Sequence, residues 1–369
     1  MRNTFGNAVS LTLFGESHGA YIGAVLDGLS AGVPVSEEEI ARQLTRRRPS
    51  SLLDTARAES DRFEIVSGVF NGKTTGTPIC ILIPNENTRS ADYDYGRARP
   101  SHADFAAYKK YHGFEDYRGG GHFSGRVTAA LVAMGGILLP ALKTLGITLG
   151  THISLCQGHK DASFQDAEKD LAFLQEATFP VLDQEVGEKM KQKILAARAE
   201  GDSVGGATES LIHGLPAGLG EPWFDSLEGL LSHALFSIGG IKGISFGAGF
   251  DFAAMKGSEA NDAWRMKDGK PFTETNNNGG INGGISNGMD IVFSCAVKPT
   301  PSIAKEQETV NFITNEETTL AIKGRHDPAI IRRICPVIDS VTALVLCDVL
   351  TGRYGSDVFT KGLSLCVTD

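Results

Sequence analysis

The chain has 369 residues, 41% of them hydrophobic, and a formal net charge of −9. That length can bury a large core, in one domain or two. The acidic balance excludes a global case for nucleic acid or an anionic membrane surface, so local basic clusters become informative.

Val9, Leu11 and Leu13 alternate with Ser10 and Thr12, the period of a half-buried strand. Gly15-Glu-Ser-His18-Gly19 follows, and then a second strand over 22–26. Ser36 with Glu39 predicts a capping box, opening a helix that carries Ile40 and Leu44 on one face and stops at Pro49. Arg46, Arg47 and Arg48 ride its last turn. Cations suit a helix C-terminus, but three in a row exceed that need and also suit an anionic ligand. Strands are expected at 62–70 and 78–83, then a charged loop over 85–101 and a short helix over 102–111. Arg97, Arg99 and Arg118 make a second basic cluster.

Next comes Arg118-Gly-Gly-Gly-His122-Phe123-Ser124-Gly-Arg126. Consecutive glycines let the backbone approach a ligand. Ser124 stands where an N-cap is needed before an apolar helix over 126–142. A helix start favours anions; the plainer alternative is a glycine-rich turn before a buried helix. The apolar run 129–142 is too short to span a bilayer and contains Gly135, Gly136 and Pro140, so a buried helix is expected. Helices follow at 164–176 and 184–200, the second with Val186, Met190 and Ile194 at four-residue spacing and Gly201 as its stop. Strands at 205–213, 243–252 and 290–298 precede a last apolar helix over 340–350.

Asp27-Gly-Leu-Ser-Ala-Gly-Val33 resembles His213-Gly-Leu-Pro-Ala-Gly-Leu219, with Leu44 answering Leu230, and 76–84 resembles 288–296. The order of elements lacks the rhythm of a parallel doubly wound sheet. The expected class is α+β, one domain of two similar halves at roughly 1–145 and 200–355, related by a pseudo-two-fold repeat. No Gly-x-Gly-x-x-Gly opens a strand–turn–helix unit, and no Gly-Lys-Ser/Thr phosphate loop is present. The Asn- and Gly-rich stretch 276–288 offers many backbone N–H groups to a flat, phosphate-bearing ligand, and Ile281 and Ile285 within it argue against a linker. The six cysteines form no Cys-x-x-Cys pair and read as reduced core thiols of a cytosolic protein. The start, with Arg2, Asn3 and a strand, is not a signal peptide.

Four stretches carry chemistry: His18 between glycines, His102 in Arg99-Pro-Ser-His-Ala-Asp104, the run Lys298-Pro299-Thr300-Pro301-Ser302, and Gly324-Arg325-His326-Asp327-Pro328. Each histidine, taken singly, also has a structural reading. His18, His102, His122 and His326 share no metal-ligand spacing on one element, so no metal is expected.

Taken together and in order from about residue 5 to 350, these stretches resemble the chorismate synthase family. So do Arg46-Arg-Arg-Pro49, Ser237-Ile-Gly239-Gly240-Ile-Lys-Gly243 and Gly279-Gly-Ile-Asn-Gly283-Gly-Ile-Ser286. The resemblance implies a sandwich of antiparallel sheets around central helices, a cytoplasmic homotetramer, and 1,4-anti elimination of phosphate from 5-enolpyruvylshikimate 3-phosphate to give chorismate. It implies reduced FMN as cofactor, with no net redox change. NADPH enters only as reductant of the flavin, and the absence of a dinucleotide fingerprint favours an external flavin reductase. By motif position, the resemblance makes His18, His102 and Asp327 catalytic, and assigns substrate binding to Ser17, Arg46, Arg47 and Arg126. It assigns the flavin to His122, Phe123, Ser124, Gly239, Gly240, Gly283, Lys298, Pro299, Thr300, Pro301, Ser302 and Arg325. Three positions depart from the common pattern: His122-Phe123 replaces Arg-Ser, Leu53 replaces an arginine, which leaves either Arg57 to compensate or a looser site, and Gly239-Gly240 replaces Asn-Ala. The competing readings are another flavin-dependent lyase or reductase and a non-catalytic sugar-phosphate-binding protein.

Overall fold

The computed structural model describes residues 2–55, 60–88, 94–322 and 327–363. Two five-stranded antiparallel sheets flank a central pair of apolar helices. The first sheet contains β1 (Thr4–Phe5), β2 (Ser10–Gly15), β3 (Tyr21–Asp27), β4 (Glu64–Ser67) and β5 (Ile79–Pro84), in the order β1-β2-β3-β5-β4. The second contains β6 (Thr148–Cys156), β7 (His159–Lys160), β8 (Gly206–His213), β9 (Ile241–Phe246) and β10 (Ile291–Val297), in the order β9-β10-β8-β6-β7. Helices α1 (Glu37–Arg47), α2 (Asp104–Tyr111), α3 (Thr128–Thr144), α4 (Ala167–Glu176), α5 (Gln184–Ala199), α6 (Leu227–Leu235) and α7 (Ile331–Tyr354) join them. Four strands of each sheet share one order: first, second, fourth and third in the chain. In each set a short helix (α1 or α6) follows the second strand and a long apolar one (α3 or α7) follows the fourth.

Small residues set how closely the helices pack. A Cβ at Gly135 would lie 2.1 Å from Ser340 Oγ, and one at Gly136 would lie 2.7 Å from Ile40 Cα. These two glycines of α3 therefore let α7 and α1 press directly against its backbone. Both long helices are apolar enough to cross a membrane by length and composition, yet 94% of the α7 window and 72% of the window containing α3 is buried inside the fold. The chain start is tied to α7 by Asp348, whose carboxylate accepts the N–H groups of Asn7, Ala8 and Val9 at 2.7–3.0 Å.

Several boundaries differ from the sequence expectation, each for a local reason. The capping box is half formed: Ser36 Oγ accepts the Glu39 N–H at 3.2 Å, but the Glu39 carboxylate turns to Arg42 and Gln43 instead. Residues 118–127 form two 3-10 turns, so α3 starts at Thr128, and Ser124 caps the second turn by accepting the Arg126 N–H. The strand expected at 243–252 is β9, ending at Phe246, with a 3-10 turn at Gly249–Ala254. The last helix begins at Ile331, nine residues before its expected start, because Arg332, Arg333 and Pro336 interrupt the apolar pattern in its first turns. Strand β6 had no sequence signal. It is buried along most of its length and carries Gly150, Thr151 and His152, so it lacks alternation.

Candidate active site

A cleft of about 840 Å³ opens between the sheets, floored by apolar side chains that include Leu11, Leu131, Ile334, Val337 and Val341. Its polar wall brings together His18, Arg47, His102, His122, Phe123, Ser124, Arg126, Gly239, Gly240, Lys298, Pro299, Thr300, Pro301, Ser302 and Asp327. These come from seven separate stretches of chain. Three sequence candidates do not line it among the described residues. Ser17 is buried behind the wall, its N–H bonded to the Gly121 carbonyl. Arg46 turns into the core, where Nη2 lies 3.1 Å from Asp339 Oδ2. Gly283 sits on the tight turn between Ile281–Asn282 and Ile285–Ser286. Arg325, His326, Arg57 and Cys366 lie outside the described residues.

The glycine triple seats both imidazoles. Gly119, Gly120 and Gly121 have φ of 62°, 80° and 52°, conformations open to glycine at low cost. A Cβ at Gly119 would lie 2.4 Å from His18 Cδ2, and one at Gly120 would lie 3.4 Å from His102 Cε1. At Gly121 a Cβ would meet the Asp116 carbonyl oxygen at 1.9 Å, so the loop closes on its own backbone there.

His102 is oriented by its neighbours. Its Nδ1 lies 2.8 Å from Asp104 Oδ1 and 3.1 Å from Arg99 Nη2, while Arg99 forks onto the Asp104 carboxylate. Burial pushes the Asp104 carboxyl up, but hydrogen bonds from Arg99 and His102 outweigh it and hold it well below the usual carboxylate range. An ionised acceptor at Nδ1 leaves Nε2 as the exchanging nitrogen. His122 donates from Nδ1 to the Gly15 carbonyl at 2.8 Å, which ties the loop to the end of β2.

The arginine-lined wall is built on α1, α7 and the 3-10 turn that precedes α3. Arg47 donates from Nε to Thr128 Oγ1 at 2.9 Å and from Nη2 to the Gly125 carbonyl at 2.8 Å. Arg126 donates to Asn85 Oδ1 and to the Pro84 carbonyl. Burial, then Arg333 nearby, pushes the Arg47 guanidinium down from its ordinary value; arginine's intrinsic basicity keeps it charged. The C-terminal carbonyls of α1 are met from α7: Arg332 donates to those of Arg46 and Arg48, and Arg333 to that of Arg47. The three-arginine run is thus not simply a dipole cap. One guanidinium enters the core, one lines the cleft, and Arg48 turns to the Ser60 carbonyl.

Asp327 has both oxygens engaged. Oδ1 accepts the Thr55 N–H at 2.9 Å, and Oδ2 accepts from Arg333 Nη1 at 2.6 Å. Sequence reasoning missed Arg333, Asp61 and Lys242, which also line the cleft. No local motif marks the first two: Asp61 meets Arg126, 65 positions away, and Arg333 joins nearby Asp327 to the distant Arg47 carbonyl. Lys242 stood inside a quoted glycine motif. Lys298 donates to the Ser101 carbonyl, and burial, then Lys242, pushes its ammonium down. Beside these lysines Thr300 Oγ1 is buried with no hydrogen-bond partner among the described residues, and a Cβ at Gly239 would meet nothing within 4 Å. A cationic corner with an orphaned hydroxyl and an open glycine wall fits a phosphate-bearing planar ligand. Among the described residues no group of three or more His, Cys, Asp or Glu is placed to hold a metal ion.

The chain is similar to known proteins over nearly its whole length. The family profile described as chorismate synthase matches residues 9–351. The chain is 48% identical over 349 residues to chorismate synthase of Methanosarcina barkeri, covering 94% of this chain and 95% of that protein. It is 47% identical to the protein of that name from Chitinophaga pinensis, covering 94% and 96% of the two chains. A crystal structure of chorismate synthase superposes with a TM-score of 0.75 at 30% identity, covering 96% of this chain and 94% of the other.

Proposed function

The chain belongs to the chorismate synthase family, and from that premise we propose how its own residues carry out the reaction. The enzyme is a lyase of aromatic amino acid biosynthesis: it eliminates phosphate from 5-enolpyruvylshikimate 3-phosphate to give chorismate. The observation that carries the site assignment is the convergence of His18, His102, Asp327, Arg47 and Arg126 on one cleft. The substrate carries two carboxylates and a phosphate, and guanidinium forks match such groups in charge and shape.

The cofactor is reduced FMN, which when bound supplies electron density that assists departure of the phosphate without net redox change. Lys298 and the 299–302 run, where the Thr300 hydroxyl has no hydrogen-bond partner among the described residues, would hold its phosphate, and Gly239, Gly240 and Ser124 would take its ring. Arg47 and Arg126 bind the anionic groups of the substrate. His18, packed on Gly119, delivers a proton to the departing phosphate oxygen, which is a poor leaving group when fully charged. His102, its ring oriented by Asp104, would hold a proton at Nε2 for the reduced flavin. Asp327, held by Arg333 and the Thr55 N–H, would assist removal of the proton that leaves the substrate ring. The chain works as one domain of two similar halves, a reading supported by the strand order common to both sheets. It functions as a cytoplasmic homotetramer with an external flavin reductase, and NADPH acts at most as the flavin's reductant.

The test is anaerobic turnover with photoreduced FMN, beside equilibrium binding on the same preparations. His18→Ala and His102→Ala are each expected to lower the turnover number about ten-fold or more, within the 10²- to 10⁴-fold that general acid–base help contributes, while FMN and substrate still bind. Wild-type turnover in both variants would return the histidines to a structural role.

A further inference from the structure

Asp61 stands between the two arginines assigned to the substrate. Its Oδ1 is bonded to Arg126 Nη1, and Arg47 Nη1 approaches Oδ2 at 3.6 Å. The side chains of all three are almost fully buried, with exposures of 1% for Asp61, 3% for Arg126 and 6% for Arg47. Asp61 Oδ2 has no hydrogen-bond partner among the described residues, so the carboxylate is not placed to maximise its own bonding there. Its backbone has φ of 50°, a left-handed conformation that aspartate tolerates better than most residues. A buried cluster of charges contributes little net stability, because desolvation offsets the attraction. What it supplies is geometry: two guanidiniums with like charge stay in adjacent rotamers when a carboxylate bridges them.

We propose that Asp61 is a positioning residue that acts through Arg126 and Arg47, holding both guanidiniums in the arrangement that receives the substrate's anionic groups. This rests on the site reading above. The bridge spans 65 positions to Arg126, linking the segment that follows α1 to the 3-10 turn before α3. It explains why a carboxylate lies in the wall of a cleft built for anions. A competitor for that anion would hold its oxygens open to the cleft; Asp61 borders the cleft with its side chain only 1% exposed and one oxygen committed to Arg126.

The test is a double-mutant cycle on the full-length enzyme, with KM, turnover and FMN affinity measured anaerobically. Asp61→Asn is the chosen change because asparagine keeps the shape and tolerates the left-handed backbone. It is expected to raise KM by about ten-fold, the scale of one lost charge-assisted interaction, with a smaller change in turnover number and unchanged FMN affinity. In an Arg126→Gln background the same change is expected to have little further effect, since residues acting through one another are non-additive. Tighter substrate binding in Asp61→Asn would overturn the proposal and make Asp61 a competing anion. Full additivity with Arg126→Gln, or a fall in thermal stability with KM unchanged, would overturn it in favour of a structural role. Failure of the wild-type enzyme to release phosphate from 5-enolpyruvylshikimate 3-phosphate would instead sink the underlying assignment, independently of Asp61.

Discussion

Gly119→Ala is the most direct probe of how the loop builds the catalytic site. The glycine has φ of 62°, and its added Cβ would lie 2.4 Å from His18 Cδ2. Ordinary carbon–carbon contact is about 3.5–4.0 Å, so the imidazole must retreat by about 1 Å. The backbone term for an L-residue in this region is about 1–2 kcal/mol, which a chain of this size tolerates. The functional effect is larger, because displacement by ~1 Å in a catalytic group can cost about 10²-fold in rate. Turnover is therefore expected to fall by about 10²-fold while the protein stays folded and binds FMN. The assay is single-turnover phosphate release under anaerobic conditions, with thermal unfolding on the same samples. Gly125→Ala is the control: its Cβ meets nothing within 4 Å, and its effect should stay within about 0.5 kcal/mol and leave turnover unchanged. Wild-type turnover in Gly119→Ala would refute the claim that this glycine seats a catalytic His18. Equal loss in both variants would mean that the loop as a whole, and not the His18 contact, is at fault.

Arg47→Ala removes a guanidinium from the cleft wall and should raise the substrate KM about 10- to 150-fold, the equivalent of roughly 1.5–3 kcal/mol, with FMN affinity retained; an unchanged KM would return Arg47 to a helix-capping role. Asp348→Ala leaves three backbone N–H groups of the chain start without their acceptor, and urea unfolding should show a loss of at least about 2 kcal/mol, whereas a change under ~0.5 kcal/mol would deny that anchor any importance. His152 is buried with Nδ1 2.8 Å from Asp161 and Nε2 3.4 Å from Glu209; burial pushes its pKa down, but those two carboxylates outweigh it and raise it above 6.5. A raised folded-state pKa contributes stability that is full below about 6.5 and fades as pH rises through the folded value. The stability gap between wild type and His152→Gln should accordingly narrow as pH rises above 6.5, and a gap that widened would reverse the assignment.

Much of the architecture was legible in the chain because it follows from local pattern. Alternation in 9–13, the Ser36 cap, the four-residue spacing of Met190 and Ile194, and the apolar runs around Ala133 and Leu344 each depend on neighbours close in sequence. The motifs carrying His18, His102, the glycine triple and Lys298-Pro299-Thr300 were legible for the same reason, since each loop needs its residue types at fixed offsets. What escaped was decided by partners far along the chain. Strand β6 lacked alternation because Leu149 to Ile153 are all buried whichever face they point to, and buried hydrogen bonds, such as that of Thr151 to Ser210, satisfy its polar residues. Arg46 and Arg47 are adjacent and chemically identical, yet one meets Asp339 in the core and the other lines the cleft, because successive residues of a helix point about 100° apart and α7 lies on one side only. Asp61 and Arg333 show no motif at all; their roles exist only once folding brings Arg126 against the one and the Arg47 carbonyl against the other. Local sequence determined which chemical groups this protein carries and on which elements. Which of its charges face ligand and which face one another was decided by tertiary packing, since burial makes every charge seek a partner wherever in the chain one is found.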